Sequence, residues 1–411
     1  MSLRQTGAQM DNISSRNICC FCQGNKVPFG VATSCLFIVN GLGLGNSTRC
    51  HAVIERLAAA GCRVHVLTSG NGLAYFEGKK CIESLHSMES FYYSESGGRI
   101  SGWATFKSIG SLAKLAKAKR NSLAQLLDKV NPDVAIIDSE YAISPLRHRR
   151  IPIIAINNSE VVVTEFLKRR RQAKGVRSHF WLVEFSDYLF HRHYCDLVLS
   201  PFPVRTPTRH PKFRRIGLIV RPTVKELAAA ASPKEALSPR QLRKVVFMLS
   251  GSVHATQINF NDRQFPFAVE VVGRSGESHG NVTFYGRQMN NTALLARADA
   301  LVINGGYSAL SEGFAFRKPT FVLPVPGHAE QFVNASLASD LGLGFSVTEQ
   351  DVLDRLLEMH RQDCWIGRKP MPPAFEINGD VEAAEAILAC ASASRKNTTV
   401  LRPAVCLQPN S

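Results

Sequence analysis

Apolar residues along this chain fall into short, nearly continuous runs separated by longer amphipathic stretches. Ser34–Asn40 (SCLFIVN), Arg63–Thr68 (RVHVLT), Pro132–Asp138 (PDVAIID), Ile151–Asn157 (IPIIAIN) and Asp196–Pro201 read as strands buried on both faces. Helical patterns alternate with them, one running to about Ala60 and one over Thr105–Val130. The alternation then restarts. Lys244–Leu249 (KVVFML), Asn281–Tyr285, Asp299–Asn304 and Pro319–Leu323 read as strands, and Glu349–Gln362 and Gly379–Cys390 as terminal helices. Strands alternating with helices predict parallel α/β layering, here in two doubly wound, Rossmann-like domains facing an interdomain cleft. The expected division is a loosely held leader over 1–33, a first domain over 34–222, an Ala-, Pro- and Ser-rich linker over 223–243, a second domain over 244–391 and a tail over 392–411.

Composition narrows the picture. The chain has 411 residues, 45% of them hydrophobic, which suffices for two sizeable cores. A net charge of +16 favours an anionic partner without choosing among nucleotide, membrane surface and nucleic acid. No apolar run is long enough to span a bilayer, and the first thirty residues lack a clean apolar segment of the secretory kind. The 11 cysteines are unevenly scattered, so a reducing cytoplasm is expected rather than a disulfide framework. Cys19, Cys20 and Cys22 lack a matching second pair for zinc, and no metal site is expected.

The most informative segment is Asn304–Gly313 (NGGYSALSEG) followed by Lys318–Ala335 (KPTFVLPVPGHAEQFVNA). Each half reads as a strand end, a turn and a helix start. Amides at a helix start favour phosphate. Glu312, one turn in, suits a ribose diol, and His328, Glu330 and Gln331 suit sugar hydroxyls. Together they suggest a sugar nucleotide. The alternative for NGGYSALSEG alone is an ordinary strand–turn–helix.

On these residues the chain resembles the nucleotide-sugar glycosyltransferases of the GT-B fold. It looks like the bacterial lipid-intermediate N-acetylglucosaminyltransferases, the UDP-glucuronosyltransferases and uncharacterised microbial relatives of both. The likeness covers roughly 34–390, is strongest over Phe284–Ala335 and is moderate over Gly41–Arg49. It implies Ser252 near the diphosphate, and Tyr285, Gly286 and Arg287 beside the base. It implies Gly305, Gly306, Tyr307 and Ser308 at the phosphates, Glu312 on the ribose, and His328, Glu330 and Gln331 around the transferred sugar.

Gly41–Arg49 (GLGLGNSTR) follows the first strand and opens a helix, but it is not a dinucleotide fingerprint. Asn46 occupies the last glycine position, and Leu67, Thr68 and Ser69 end the second strand without an acid. Within the resemblance, Gly43, Gly45, Asn46 and Arg49 face the acceptor. Many relatives carry a histidine where Asn46 stands, and an amide cannot serve as a general base. Asn46 can still orient an acceptor. Asp138 and Glu140 are the expected substitutes, with a helix-capping role as the alternative for Asp138; His51 is a weaker candidate.

Retaining enzymes of this fold often carry two glutamates eight positions apart. Asn304 and Thr320 flank Glu312 at that spacing, so inverting transfer is expected. No Asp-x-Asp occurs, which argues against a metal-bridged diphosphate. The expected reaction moves a hexose from a UDP-sugar, as co-substrate and without a cofactor, to an acceptor hydroxyl. A nucleotide-sugar epimerase and a catalytically silent nucleotide-sugar-binding protein are the alternatives.

Lys168–Arg177 (KRRRQAKGVR) precedes an aromatic-rich stretch over Ser178–Tyr194, and Arg147, Arg149 and Arg150 lie earlier. One reading is peripheral docking on anionic lipid at the inner membrane face, presenting a lipid-linked acceptor. Nucleic acid is less favoured. The third reading is a solvated loop followed by a helix whose aromatics fill the core.

Overall fold

Every residue of β1 (Ser34–Val39) is buried, as befits a central strand covered on both faces. A computed structural model describes residues 32–89, 102–230, 241–249, 258–260, 264–362 and 376–400, with the backbone alone over 102–112 and 396–400. The expected leader, and Ser252, lie outside the described residues apart from 32 and 33.

Among the described residues, two parallel sheets form. The first has seven strands in the order β3-β2-β1-β4-β5-β6-β7. Its further strands are β2 (Arg63–Thr68), β3 (Ser84–Ser87), β4 (Val134–Asp138), β5 (Ile153–Ile156), β6 (Leu197–Pro201) and β7 (Phe213–Ile216). The second has six in the order β10-β9-β8-β11-β12-β13. These are β8 (Lys244–Met248), β9 (Ala268–Val272), β10 (Val282–Gly286), β11 (Ala300–Ile303), β12 (Thr320–Val322) and β13 (Phe345–Ser346). In both, strand order reverses beside the first strand, so each sheet has a switch point where loops splay apart. The two-domain GT-B expectation is met.

The connecting helices that matter below are α1 (Leu44–Ala59), α3 (Gly102–Lys129), α5 (Ser159–Arg169) and α10 (Tyr307–Ala315), with α11 (Ala329–Asp340) following β12. A continuous helical stretch links β5 to β6: α6 (Arg177–His179), a π turn (Phe180–Glu184) and α7 (Phe185–Tyr194). Gly41 admits no side chain, because a Cβ there would stand 1.6 Å from Ser69 O. That close approach seats the loop after β1 against the start of the helix following β2.

Two boundaries differ from expectation. The segment expected to begin the linker is helical, α8 (Pro222–Ala230), with Val224 fully buried in the second core. The last helix, α13 (Gly379–Val400), was expected to close the second domain and end near 390. It instead returns to the first sheet, where Ala383, Ile387 and Ala391 join Phe37, Ile54 and Ile136 in one core. Arg56–Asp380 and Arg395–Asp133 ion pairs fix it there. Conversely, Ala329, Val333 and Leu337 of α11 enter the core of the first sheet beside Val162 and Phe166 of α5.

Candidate functional site

The carboxyl ends of both sheets open onto one cavity of about 620 Å³, a volume typical of small-ligand sites. Gly45, Asn46 and Arg49 line it from the start of α1, Ser139 and Tyr141 from the loop after β4, and Asn157–Ser159 from the segment that leads from β5 into α5. From the second sheet come Gly273, Asn304, Gly306–Ala309, His328, Glu330 and Gln331.

Four helices begin at this wall. Their N-caps are Gly43 for α1, Asn158 for α5, Gly306 for α10 and His328 for α11, and none caps its helix with a side-chain hydrogen bond. Glycine has no side chain with which to do so. At α5 and α11 neighbouring side chains take the first amide, Ser159 N–H donating to Asn157 Oδ1 at 2.6 Å and Ala329 N–H to His179 Nδ1 at 3.4 Å. The partly positive ends of α1 and α10 are left to the cavity, which suits an anionic ligand. Gly305 adopts φ +82, a left-handed turn that favours glycine, and its carbonyl accepts a bond from Asn334 Nδ2 at 2.9 Å. The two halves touch here: Ser308 Oγ donates to Gly45 O at 3.0 Å, and Tyr307 Oη to Pro201 O at 2.7 Å.

Several expected residues are elsewhere. Asp138 is fully buried and accepts from Arg49 Nε and Nη2, both at 2.5 Å. Burial opposes the Arg49 charge, but Asp138 more than offsets it and holds the guanidinium above its ordinary pKa. Glu140 is buried against Lys119 Nζ at 2.7 Å. Between them Ser139 has φ +52, and this left-handed turn presents Ser139 to the cavity in place of either acid. Neither acid is placed as a base. His51 packs beside Tyr75 and Glu55, and burial lowers its pKa to about 4. Glu312 is also off the wall, clamped by Arg221 through Nε–Oε1 at 2.6 Å and Nη2–Oε2 at 2.8 Å. Tyr285, Gly286 and Arg287 end the outer strand β10 and do not line the cavity; nor do Gly43 and Gly305. The expected groups that do meet are Gly45, Asn46, Arg49, Gly306, Tyr307, Ser308, His328, Glu330 and Gln331.

The structure adds residues that sequence reasoning missed. His179, Glu184 and Asp187 line the cavity from the segment read as basic and aromatic surface. Burial, then the nearby Glu330 and Asp187 charges, push the Glu184 carboxyl up to about 9. Burial likewise raises Glu330, with Arg49 opposing. Burial would also raise Asp187, but hydrogen bonds from His191, Tyr141 and Asn157 outweigh it and hold Asp187 low. Burial lowers both His179 and His328, whose rings lie 4.7 Å apart. Asn158 is 6% exposed, and neither side-chain polar atom has a partner. The run INNSE after β5 was the available signal for Asn157–Ser159.

Residues 33–360 match the family model described as glycosyl transferase family 1. The chain belongs to that family. An uncharacterized glycosyltransferase of Methanosarcina mazei is 25% identical over 338 residues, covering 75% of this chain and 85% of the relative. Among solved structures, the MurG of Acinetobacter baumannii aligns at TM-score 0.53 and 14% identity, over 87% of this chain and 99% of that one. The Streptomyces glycosyltransferase SsfS6, complexed with thymidine diphosphate, aligns at TM-score 0.50 and 15% identity, over 90% and 100%. These structural likenesses concern the fold. In this glycosyltransferase no described helix is long and apolar enough to cross a membrane.

Proposed function

We propose that this glycosyltransferase moves a hexose from a UDP-sugar to an acceptor hydroxyl with inversion at the anomeric carbon and without a metal. The observation that carries the reading is the convergence of four helix starts, none capped by its N-cap side chain, on one cavity at the carboxyl ends of both sheets. Amides of Gly306, Tyr307, Ser308 and Ala309 would hold the diphosphate. They would also stabilise charge as it leaves, the role that preorganised dipoles serve best. His328, Glu330 and Gln331 would hold the transferred sugar, with Asn46 and Ser139 across the cavity on the acceptor side. The thymidine diphosphate in the SsfS6 neighbour supports a pyrimidine nucleotide. The missing glutamate pair and the absence of Asp-x-Asp support inversion without a metal.

Thermal-shift and calorimetric screening against UDP-, dTDP-, GDP- and ADP-sugars tests the donor, and NMR of the anomeric product tests the stereochemistry. A shift with UDP-sugars alone and an inverted product are expected. A retained product, or preference for a purine nucleotide, contradicts the reading.

A membrane-borne acceptor also has support. Trp181, Leu182 and Val183 are 51%, 76% and 49% exposed, beside exposed Lys168, Arg170, Arg171, Lys174 and Arg177. Apolar tips flanked by cations suit an anionic bilayer surface. Phe180 and Tyr188 of the same stretch fill the core instead. Salt-sensitive co-sedimentation with phosphatidylglycerol vesicles is expected, and its absence removes the idea.

A further inference from the structure

The site has a gap where proton transfer should occur. Asn46 cannot accept a proton, and Asp138 and Glu140 are locked in buried ion pairs away from the cavity. Three ionisable groups stand together on the other wall. His179 Nδ1 lies 3.5 Å from Glu184 Oε1, and the His328 ring packs against His179.

The backbone makes this pairing. Residues five apart in an α-helix point roughly 140° away from each other, given 3.6 residues per turn. Here the turn over Phe180–Glu184 closes as a π-helix, with Phe185 N–H donating to Phe180 O. The wider turn carries Glu184 back toward the face of His179. Such turns are rare and recur at functional sites. The turn is also anchored. Phe180 stacks on Phe166 with ring centroids 3.6 Å apart, while Trp181 through Val183 remain exposed.

We propose that His179, oriented by Glu184, is the base that takes the acceptor's proton. The proposal rests on the transferase reading above. At rest Nδ1 of His179 accepts from the Ala329 N–H at 3.4 Å. In the reacting form Glu184 has lost its proton and takes that place, accepting from Nδ1–H of His179, which leaves Nε2 free to accept a proton. The acceptor O–H bond breaks toward Nε2 as the oxygen bonds the anomeric carbon. The electron pair of the anomeric carbon–oxygen bond leaves with the diphosphate. The imidazolium formed is stabilised by the Glu184 carboxylate and then loses its proton to solvent. Glu330, Asp187 and His328 face the pair from α11, α7 and the loop before α11. His179 is thus the catalytic residue and Glu184 a positioning one.

The test measures UDP release, with water as acceptor, from the UDP-sugar that gives the largest thermal shift. Wild type, His179→Gln, Glu184→Gln and Glu184→Asp are compared. Calorimetric binding of UDP is measured in parallel as a check on folding and on the donor site. His179→Gln should lower kcat by about 100-fold or more, the usual worth of general-base catalysis, with UDP affinity within twofold. Glu184→Gln should lower kcat and move the acid limb of the pH–rate profile toward that of a lone imidazole. Glu184→Asp should restore part of the rate. Wild-type kcat in His179→Gln, or an unmoved pH limb in Glu184→Gln, with UDP still bound, overturns the proposal. The ligand atoms of His179, Glu184 and His328 also lie within 4.8 Å of one another. Activity lost in chelator and restored by Zn²⁺ would make the cluster a cation site and overturn the proposal too. Failure of UDP to bind wild type would instead count against the transferase reading.

Discussion

Arg49 grips both carboxylate oxygens of Asp138, bridging the helix after β1 to the end of β4 across 89 positions of sequence. The guanidinium's fork matches the carboxylate bidentately, and Cys50 Sγ adds a third contact at 3.4 Å. The pair fixes the loops on either side of the first switch point, so its role is architectural. Removing one partner of a buried pair costs about 3–5 kcal/mol, because the other charge is left uncompensated. Asp138→Asn is therefore expected to lower the unfolding free energy by that order, read from a lowered midpoint in urea. Unchanged stability with abolished transfer would return Asp138 to the chemistry.

Glu312 and Arg221 form a second such clamp, and Arg221 Nη2 also donates to Asn291 Oδ1 at 2.6 Å. Asn291 lines the cavity, so Arg221 reaches the ligand wall through it while Glu312 does not. Each single alanine substitution should destabilise by about 3–5 kcal/mol, and the double by less than the sum, since the pair fails as a unit. A double-mutant cycle in denaturant measures this. Additive losses would show that the two residues act separately. Glu312→Gln should change the UDP dissociation constant less than tenfold by calorimetry, against the expectation of a direct ribose contact.

The last helix supplies a third test. Ile387 is fully buried against the first sheet, far in sequence from the strands it covers. Leucine- or isoleucine-to-alanine changes in such cores cost about 2–5 kcal/mol. Ile387→Ala should cost that much and weaken the first domain. A loss confined to the second domain, read by hydrogen exchange, would contradict the packing.

Much of this was legible in the sequence because parallel strands buried on both faces are unbroken apolar runs. β1, β4, β5 and β11 were read that way within a residue or two. The second sheet's share of the cavity wall was legible for the same reason: it follows strand ends directly, at Gly306–Ser308 and His328–Gln331. The strands β3, β7, β9 and β13 were missed: β3 and β13 are short and largely uncovered, and charged residues interrupt the apolar runs of the more buried β7 and β9. The home of α13 was invisible, because amphipathicity says that a helix packs but not where. Asp138 and Glu140 follow a strand end and were expected at the cleft for that reason, but both are held in buried ion pairs, and Ser139 between them, at positive φ, lines the cavity. His179 and Glu184 were hidden because 3.6-residue periodicity separates them, and only the π turn brings them together.

Asn158 shows how stability and function trade at this wall. Both its polar atoms are buried without a hydrogen-bond partner. A buried polar group left unpaired costs about 1–3 kcal/mol, so a ligand that pairs it recovers that amount. Asn158→Ala should reduce kcat/KM by roughly 10- to 100-fold, as 1.4 kcal/mol is tenfold. It should leave the melting temperature equal to wild type or higher. A drop in stability with unchanged kcat/KM would mean that the amide holds the fold rather than a substrate.

Glu184 makes the same trade visible through pH. Its carboxyl titrates near 9 in the folded protein, against 4.5 for the free group, because burial and the Glu330 and Asp187 charges disfavour ionisation. The folded state thus binds the proton more tightly than the unfolded state. The stabilisation is complete below about 4.5 and is lost as pH rises toward about 9, with a limiting slope of ~1.4 kcal/mol per pH unit for one such group. Glu184→Gln carries no titrating group, so its stability should fall less steeply over that window and exceed wild type increasingly toward pH 8. Glu330 is pushed the same way, so Glu330→Gln should flatten part of the remaining slope. Denaturant midpoints at pH 5, 6.5 and 8 read the effect directly. Parallel profiles for wild type and Glu184→Gln would mean that Glu184 is ionised across that range without substrate, and that the charge beside His179 is already in place before substrate arrives.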